Sequence, residues 1–330
     1  MSTDAASPDT AAGTALERKT YTYQSGAVYQ GQFKGAKRHG QGHWQHPDGE
    51  VYEGQYDDNR QNGWGVYVFG KTGKRYVGQW ARGMLHGKGV YFFNAAQTAF
   101  YLGTYADDKK HGDGYYMYEN NVMTAQTWKA GELVQEREAS PAERVECAKQ
   151  MSEIQREVRA VAPLVLGPLP AKLEVKNFQF PSGATYCGQF TGTKKFGQGF
   201  WSHPEGDSYE GQFENNRHEG WGVYISGRSG KKYVGQWHDG LMHGWGVYFF
   251  TPQETEFFVG QYVSDKKHGI GMYHYAESGQ SKEQLWADGE LVKETDADES
   301  KVQEFLEAIR TLLQVVRPFA PRYHSEAFSS

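Results

Sequence analysis

Five histidines, His39, His86, His111, His243 and His268, recur in an H-G-x-G context, and imidazoles at one repeated position raise the question of a metal. Zinc sites draw on histidines at i, i+4 on a helix or beside a Cys-x-x-Cys, and neither pattern occurs here. Otherwise intact segments carry Asn62, Phe196 or Glu219 at the same position. The expectation is therefore a side chain that ties one loop to its neighbour by a hydrogen bond. The glycines extend neither to G-x-G-x-x-G nor to a phosphate-cradling G-x-x-x-x-G-K-[ST], and there is no G-x-S-x-G or H-E-x-x-H. No catalysis, metal or cofactor is expected.

Two other residue classes could bind a partner. Basic pairs stand at Lys37 and Arg38, Lys109 and Lys110, Lys194 and Lys195, and Lys266 and Lys267. Aligned along one edge of a sheet, they would form small cationic clusters for anionic phospholipid or an acidic protein, each charge contributing about 1 kcal/mol near an anionic surface. Asp107, Asp108 and Asp265 stand beside them and weaken the lipid reading. The second class is aromatic: Trp44, Tyr67, Tyr91, Tyr116, Trp201, Tyr224, Tyr248 and Tyr273 each lie two residues after a motif glycine. This ladder is either packing between neighbouring hairpins or a groove for a peptide or helix, since rings with hydroxyl tips suit interfaces.

Both classes are positioned by a repeat. YQGQFKGAKRHGQG starts at Tyr29, YEGQYDDNRQNGWG at Tyr52, YVGQWARGMLHGKG at Tyr76 and YLGTYADDKKHGDG at Tyr101. Counterparts start at Tyr186, Tyr209, Tyr233 and Phe258, each 157 residues later, so a whole block is duplicated. Degenerate half-repeats follow at Trp128 and Trp286. Within a unit, ring, glycine and ring alternate on one face of a first strand, a short loop follows, and a second strand returns. The glycine leaves a hole in which a ring from the neighbouring hairpin is expected to settle. One hairpin cannot bury its rings alone, whereas stacked neighbours can.

The Y-x-G-x-W-x-x-G-x-x-H-G-x-G pattern resembles the MORN repeat, with eight full and two partial units over roughly residues 21 to 133 and 178 to 292. The resemblance implies a twisted antiparallel sheet with an aromatic groove, in proteins that act mostly as scaffolds or membrane-proximal adaptors. The expected fold is mainly β: two tandem arrays of stacked antiparallel β-hairpins forming elongated twisted sheets, each followed by one amphipathic α-helix.

The opposite strand parity is apolar too, with Val66, Val68, Val90, Phe92, Val223, Ile225, Val247 and Phe249. A second exposed apolar face would be a liability. Residues 142–161 and 300–317 carry apolar positions at helical spacing and could cover it. Each helix is read as a cap on its own block, or on the junction between blocks, on the face away from the ladder. The competing reading makes Phe305, Leu306, Ile309, Leu312, Leu313 and Val316 a docking or homodimerisation stripe.

The expected organisation is a disordered tail over 1–18, a first block over 19–135, a capping helix over 136–162, a linker over 163–177, a second block over 178–294, a second helix over 295–318 and a C-terminal tail over 319–330. Aromatics at 15% and 41 glycines in 330 residues agree with many short strands. A net charge of -5 offers no global attraction to nucleic acid or to an anionic membrane. Two cysteines, Cys147 and Cys187, form no disulfide framework and point to a reducing cytoplasmic setting. The expected function is a non-enzymatic protein-interaction scaffold in a cytoskeletal, ciliary or flagellar axonemal assembly. The alternative is a membrane-proximal adaptor that binds anionic phospholipid.

Overall fold

The computed structural model describes residues 15–166, 173–323, 325 and 328. It contains two eleven-stranded antiparallel sheets, the first from Glu17–Thr22 to Glu132–Glu138 and the second from Glu174–Gln179 to Glu290–Asp296. In both, every strand pairs with its neighbours in the chain, as expected of hairpins added one after another. The strands begin earlier than the sequence reading placed them. Glu17 and Arg18, expected in a tail, already pair with Phe33 and Gln32, and Glu174 to Asn177, expected in a linker, pair with Phe190 to Cys187. Backbone pairing to an otherwise open edge is enough to order them. Residues 1–14 and 167–172 of the expected tail and linker lie outside the described residues.

The motif writes a bulge into each hairpin. In the third unit Tyr76 faces Tyr91 and Gly78 faces Gly89, and the register then shifts so that Trp80 faces Leu85. A bulge leaves a backbone amide without its ladder partner. The motif glutamine replaces it: the side-chain oxygen of Gln79 accepts from Lys88 N at 2.9 Å, as Gln55 does from Trp64 N and Gln236 from Trp245 N.

The hole beside the glycines is filled by the motif's own tyrosine, and not by a neighbour's ring as the sequence suggested. Tyr29 lies back over Gly31 and Gly42, so that a Cβ on Gly31 would come within 2.5 Å of its hydroxyl oxygen. That hydroxyl donates to the carbonyl of Gln32 at 3.0 Å, and Tyr52, Tyr76 and Tyr233 repeat the bond at Gln55, Gln79 and Gln236. The neighbouring hairpin contributes a ring edge-on, Tyr56 to Tyr29 at 5.2 Å and Trp80 to Tyr52 at 5.4 Å. Each motif tyrosine therefore packs as wall and floor at once, with 0% exposure at Tyr29, Tyr52, Tyr76 and Tyr101.

Three helices follow: α1 (Pro141–Arg159), α2 (Pro163–Leu166) and α3 (Glu299–Val316). The chain divides into two compact units, residues 1–137 with 153–169 and residues 138–152 with 170–330, so the boundary falls inside α1. Ser140 and Glu143 start α1 with reciprocal side-chain to backbone bonds, and Asp298 caps α3 by accepting from Lys301 N at 2.8 Å. In the second unit α3 lies on the valine face. Phe305, Ile309, Leu312 and Val316 are buried in one core with Trp221, Val223, Val234, Trp245 and Val247, and Leu306 and Leu313 pack at its margin. The docking reading of that stripe is thereby corrected, because these side chains are consumed by their own sheet. Val145, from the first half of α1, belongs to the same core. A cap confined to the helix's own block does not describe α1.

The expected C-terminal tail is packed as well. Ala320 is buried in the second core, and Tyr323 donates its hydroxyl to the buried carboxylate of Glu254 at 2.9 Å, where Lys232 Nζ also arrives at 2.8 Å.

Candidate partner-binding faces

The register draws one row of rings across each sheet. In the first it runs Tyr29, Trp44, Tyr52, Tyr67, Tyr76, Tyr91, Tyr101 and Tyr116, each opposite the next on the adjacent strand. The second repeats it from Tyr186 to Tyr273, with Trp201, Tyr209, Tyr224, Tyr233, Tyr248 and Phe258 between. Alternate members behave differently. Motif tyrosines fold down over the glycines and are buried, whereas Trp44, Tyr67, Tyr91, Tyr116, Trp201, Tyr224, Tyr248 and Tyr273 remain half-buried. All eight ladder residues thus line an aromatic face, four to a sheet. Phe69, Phe93 and Tyr118 extend it in the first sheet, and Phe250 and Tyr275 in the second.

One rim of this face is acidic. Glu50 accepts the Tyr67 hydroxyl at 2.7 Å and Glu256 that of Tyr273, which raises both phenol pKa values further above what burial alone does. Beyond the last full repeat, Glu136 accepts from Tyr118, Thr124 and Gln126, and Trp128 Nε1 donates to Gln126. The second sheet repeats the arrangement with Glu294, Tyr275, Gln284 and Trp286.

The basic pairs do not form the cationic edge anticipated for them, because neighbouring residues of a strand point to opposite faces. Lys37, Lys109, Lys194 and Lys266 are exposed at the turn edge, and Lys37 is held by Asp58 at 2.6 Å. Their partners lie over the rings. Lys110 Nζ is 4.2 Å from the centroids of both Tyr101 and Trp128, 5.0 Å from Tyr116 and 5.7 Å from Phe93. Lys267 repeats this over Phe258, Trp286, Tyr273 and Phe250 at 4.2, 4.4, 4.9 and 5.5 Å. Burial pushes both ammonium groups down to about 8. Arg38 lies over Tyr29 and Tyr56, and Lys195 over Phe180, Tyr186 and Phe213. In the intervening hairpins the same position holds Gln61, Leu85, His218 and Met242. His218 stacks on Tyr209 at 3.6 Å, and burial, followed by the charge of Lys195, depresses it to about 4, so it is neutral at pH 7.

At the motif histidine position the side chain reaches the next turn. His111 Nδ1 accepts from Ala130 N at 3.3 Å, Asn62 from Arg82 N at 3.4 Å and Glu219 from Asp239 N at 3.0 Å. His39 approaches the carboxylate of Asp57, with Asp58 close by, but Lys37 already neutralises Asp58. The duplicated positions are Phe196, Glu214 and Asn215, a set without the imidazole.

Two features escaped the sequence reading. One is the structural glutamine, legible only as the recurrence of G-Q in every unit but the one at Tyr101, where Thr104 stands in its place. The other is a carboxylate on the valine face, Glu53 and Glu210, where most units carry an apolar residue. Glu53 accepts from the amides of Leu164 and Val165 at 3.1 and 2.8 Å, and Glu210 from Arg322 N at 2.9 Å.

Each sheet is a hairpin meander whose ladder face stays aromatic and half-buried, and in the second sheet α3 covers the opposite face. Seven segments match the MORN repeat, at residues 29–51, 52–73, 76–94, 101–123, 209–229, 233–253 and 258–280, and the chain is a MORN-repeat protein. The unit starting at Tyr186 is not among the matches, yet its hairpin has the same register and bulge. MORN repeats are in general protein- or membrane-interaction modules. No curated protein matches the chain. Among solved structures it is similar to BamB from Moraxella catarrhalis, at 10% identity over 87% of this chain and 91% of that one, with a TM-score of 0.13 that bears on neither fold nor function. No helix among the described residues is long and apolar enough to cross a membrane.

Proposed function

We propose that the chain is a non-enzymatic docking scaffold whose two aromatic faces each hold a protein segment, in a cytoplasmic cytoskeletal or ciliary assembly. The observation that carries this reading is the contrast between the two faces of the second sheet. The valine face is closed by α3, whereas the packing clusters on the ladder faces of both sheets hold no helix residue among those described. Rings that keep a hydroxyl or an edge exposed over a rigid floor supply contact area at little conformational cost. Duplication gives two such faces in one chain, which suits bridging two copies of a partner or a repeating polymer.

The membrane reading loses half of its charge, since only one lysine of each pair faces outward at the turn edge. Detergent extraction of cells expressing a tagged copy tests the proposal. Retention with the insoluble cytoskeleton, abolished by Tyr91→Ser with Tyr248→Ser, is the expected result. Release with membrane lipid from a fraction that was membrane-bound beforehand would overturn it.

A further inference from the structure

The cations over each aromatic face are distributed unevenly. Each sheet has one at either end of the row, Arg38 and Lys110 in the first and Lys195 and Lys267 in the second, and uncharged side chains between. Arg38 already donates to the carbonyl of Asn59 at 2.6 Å. The ammonium groups of Lys110 and Lys267 have no hydrogen bond or ion pair to a protein acceptor among the described residues, although each is half-buried within four rings. An ammonium in that position keeps three donor hydrogens with little water to receive them, a deficit that an anion entering from the open side would remove. The rings are apolar walls that strengthen such a contact by excluding solvent.

We propose that the segment docked on each face is an acidic one, placing a carboxylate on Lys110 in the first sheet and on Lys267 in the second, with apolar side chains over the ladder between the two cationic ends. This deepens, and rests on, the docking reading above. The two cations of a sheet lie on its third and ninth strands, six strand spacings apart, or about 29 Å. An occupant that runs along the row and also meets the cation at its far end, Arg38 or Lys195, carries its acidic groups about 29 Å apart, roughly 19 residues if helical. A lipid headgroup does not meet this demand, because it offers no apolar stretch lying flat along the ladder between two anionic points.

The test is selection from a displayed library of random 24-residue peptides (about five residues beyond that helical span) on the full chain. Wild-type protein should enrich peptides with an apolar centre flanked by Asp or Glu. The variant with Lys110→Met and Lys267→Met, which keeps the aliphatic stem over the rings, should enrich peptides with the same apolar centre but without the acidic residue at the Lys110 or Lys267 end. A selected acidic peptide should bind the variant at least tenfold more weakly. If the variant does not fold, Nζ resonances of wild-type Lys110 and Lys267 provide the second measurement: they should shift, and their titration should move up in pH, when a selected peptide is added.

Peptides selected through the ladder without acidic preference, or with a preference unchanged in the variant, would overturn this inference and leave the docking reading standing. Selection insensitive to Tyr91→Ser and Tyr248→Ser would remove both. Vesicles of 3:7 phosphatidylserine to phosphatidylcholine that displace the peptide and depend on Lys110 and Lys267 would identify lipid as the occupant and also overturn it.

Discussion

The backbone amide of Arg322 donates to the carboxylate of Glu210 at 2.9 Å, and 157 residues earlier Val165 does the same to Glu53 at 2.8 Å. In each unit one carboxylate on a largely apolar sheet face holds the chain a few residues past the end of α1 or α3. Burial raises the pKa of Glu210, so its charged form costs more here than in water and depends on the amide and on the guanidinium of Arg322, 3.6 Å away. Glu210→Ala leaves that amide without its acceptor, and a loss of about 1–3 kcal/mol is expected in urea unfolding. An unchanged midpoint would mean that the segment is held by its apolar contacts alone.

The helix itself should matter more. Leu312, on α3, is buried in one core with Val234 and Val247 of the sheet beneath it. Leu312→Ala should destabilise the second unit by about 2–5 kcal/mol. Differential scanning calorimetry should show its transition falling while that of the first unit stays in place. A uniform fall of both transitions would contradict the division into two units.

A third expectation separates the two kinds of ring in the row. Tyr233→Phe removes one hydroxyl-to-carbonyl bond and should cost about 1 kcal/mol. Gly246→Ala drives a methyl group into the ring of Tyr233 and into its hydroxyl, and should cost about 1–3 kcal/mol or more. Tyr248→Ser, on the half-open ladder, should reduce partner capture more than it reduces thermal stability. Equal thermal losses at Tyr233 and Tyr248 would show that the ladder is only packing.

The fourth concerns pH. The folded pKa values of Lys110 and Lys267, about 8, lie below the ordinary lysine value because burial disfavours the charged form. Between about pH 8 and 9.5 the unfolded chain therefore holds more protons at these two sites than the folded one, and their contribution to stability rises with pH. Buried tyrosines such as Tyr29, raised to about 12, reverse the trend once unfolded tyrosine ionises near pH 10. Denaturation midpoints should climb across that window in the wild type, and the slope should flatten in the variant with Lys110→Met and Lys267→Met. A slope that survives both substitutions would assign the titration to other groups.

Much of the architecture was legible because the motif carries its period openly. Tyr-x-Gly-x-ring fixes which side chains share a face, and copied spacings of 23, 24 and 25 residues predict two equal sheets. The ladder was legible as a row for the same reason, while its half-open character was not, because pattern cannot distinguish a ring that lies down on glycine from one that stands beside it. Lys109 and Lys110 read in sequence as one charge cluster, but the pleat sends them to opposite faces. The position of α1 is not written in the sequence, since an apolar stripe reports that a helix is covered and not which sheet covers it. Val145 and Phe305 read alike in sequence, yet both lie in the core of the second unit.

On the docking reading proposed above, stability and recognition fall to different residues of one repeat. The tyrosine that lies over the glycines, the glutamine that mends the bulge and the valine face together hold a hairpin in its sheet. The ladder ring and the residue before the motif histidine would be the ones offered to a partner, and the eight copies already fill that second position with arginine, glutamine, leucine, histidine, methionine and lysine without altering the hairpin. Binding preference can therefore drift from repeat to repeat while the frame stays still, and a duplicated block is free to diverge toward a second ligand without first risking its fold.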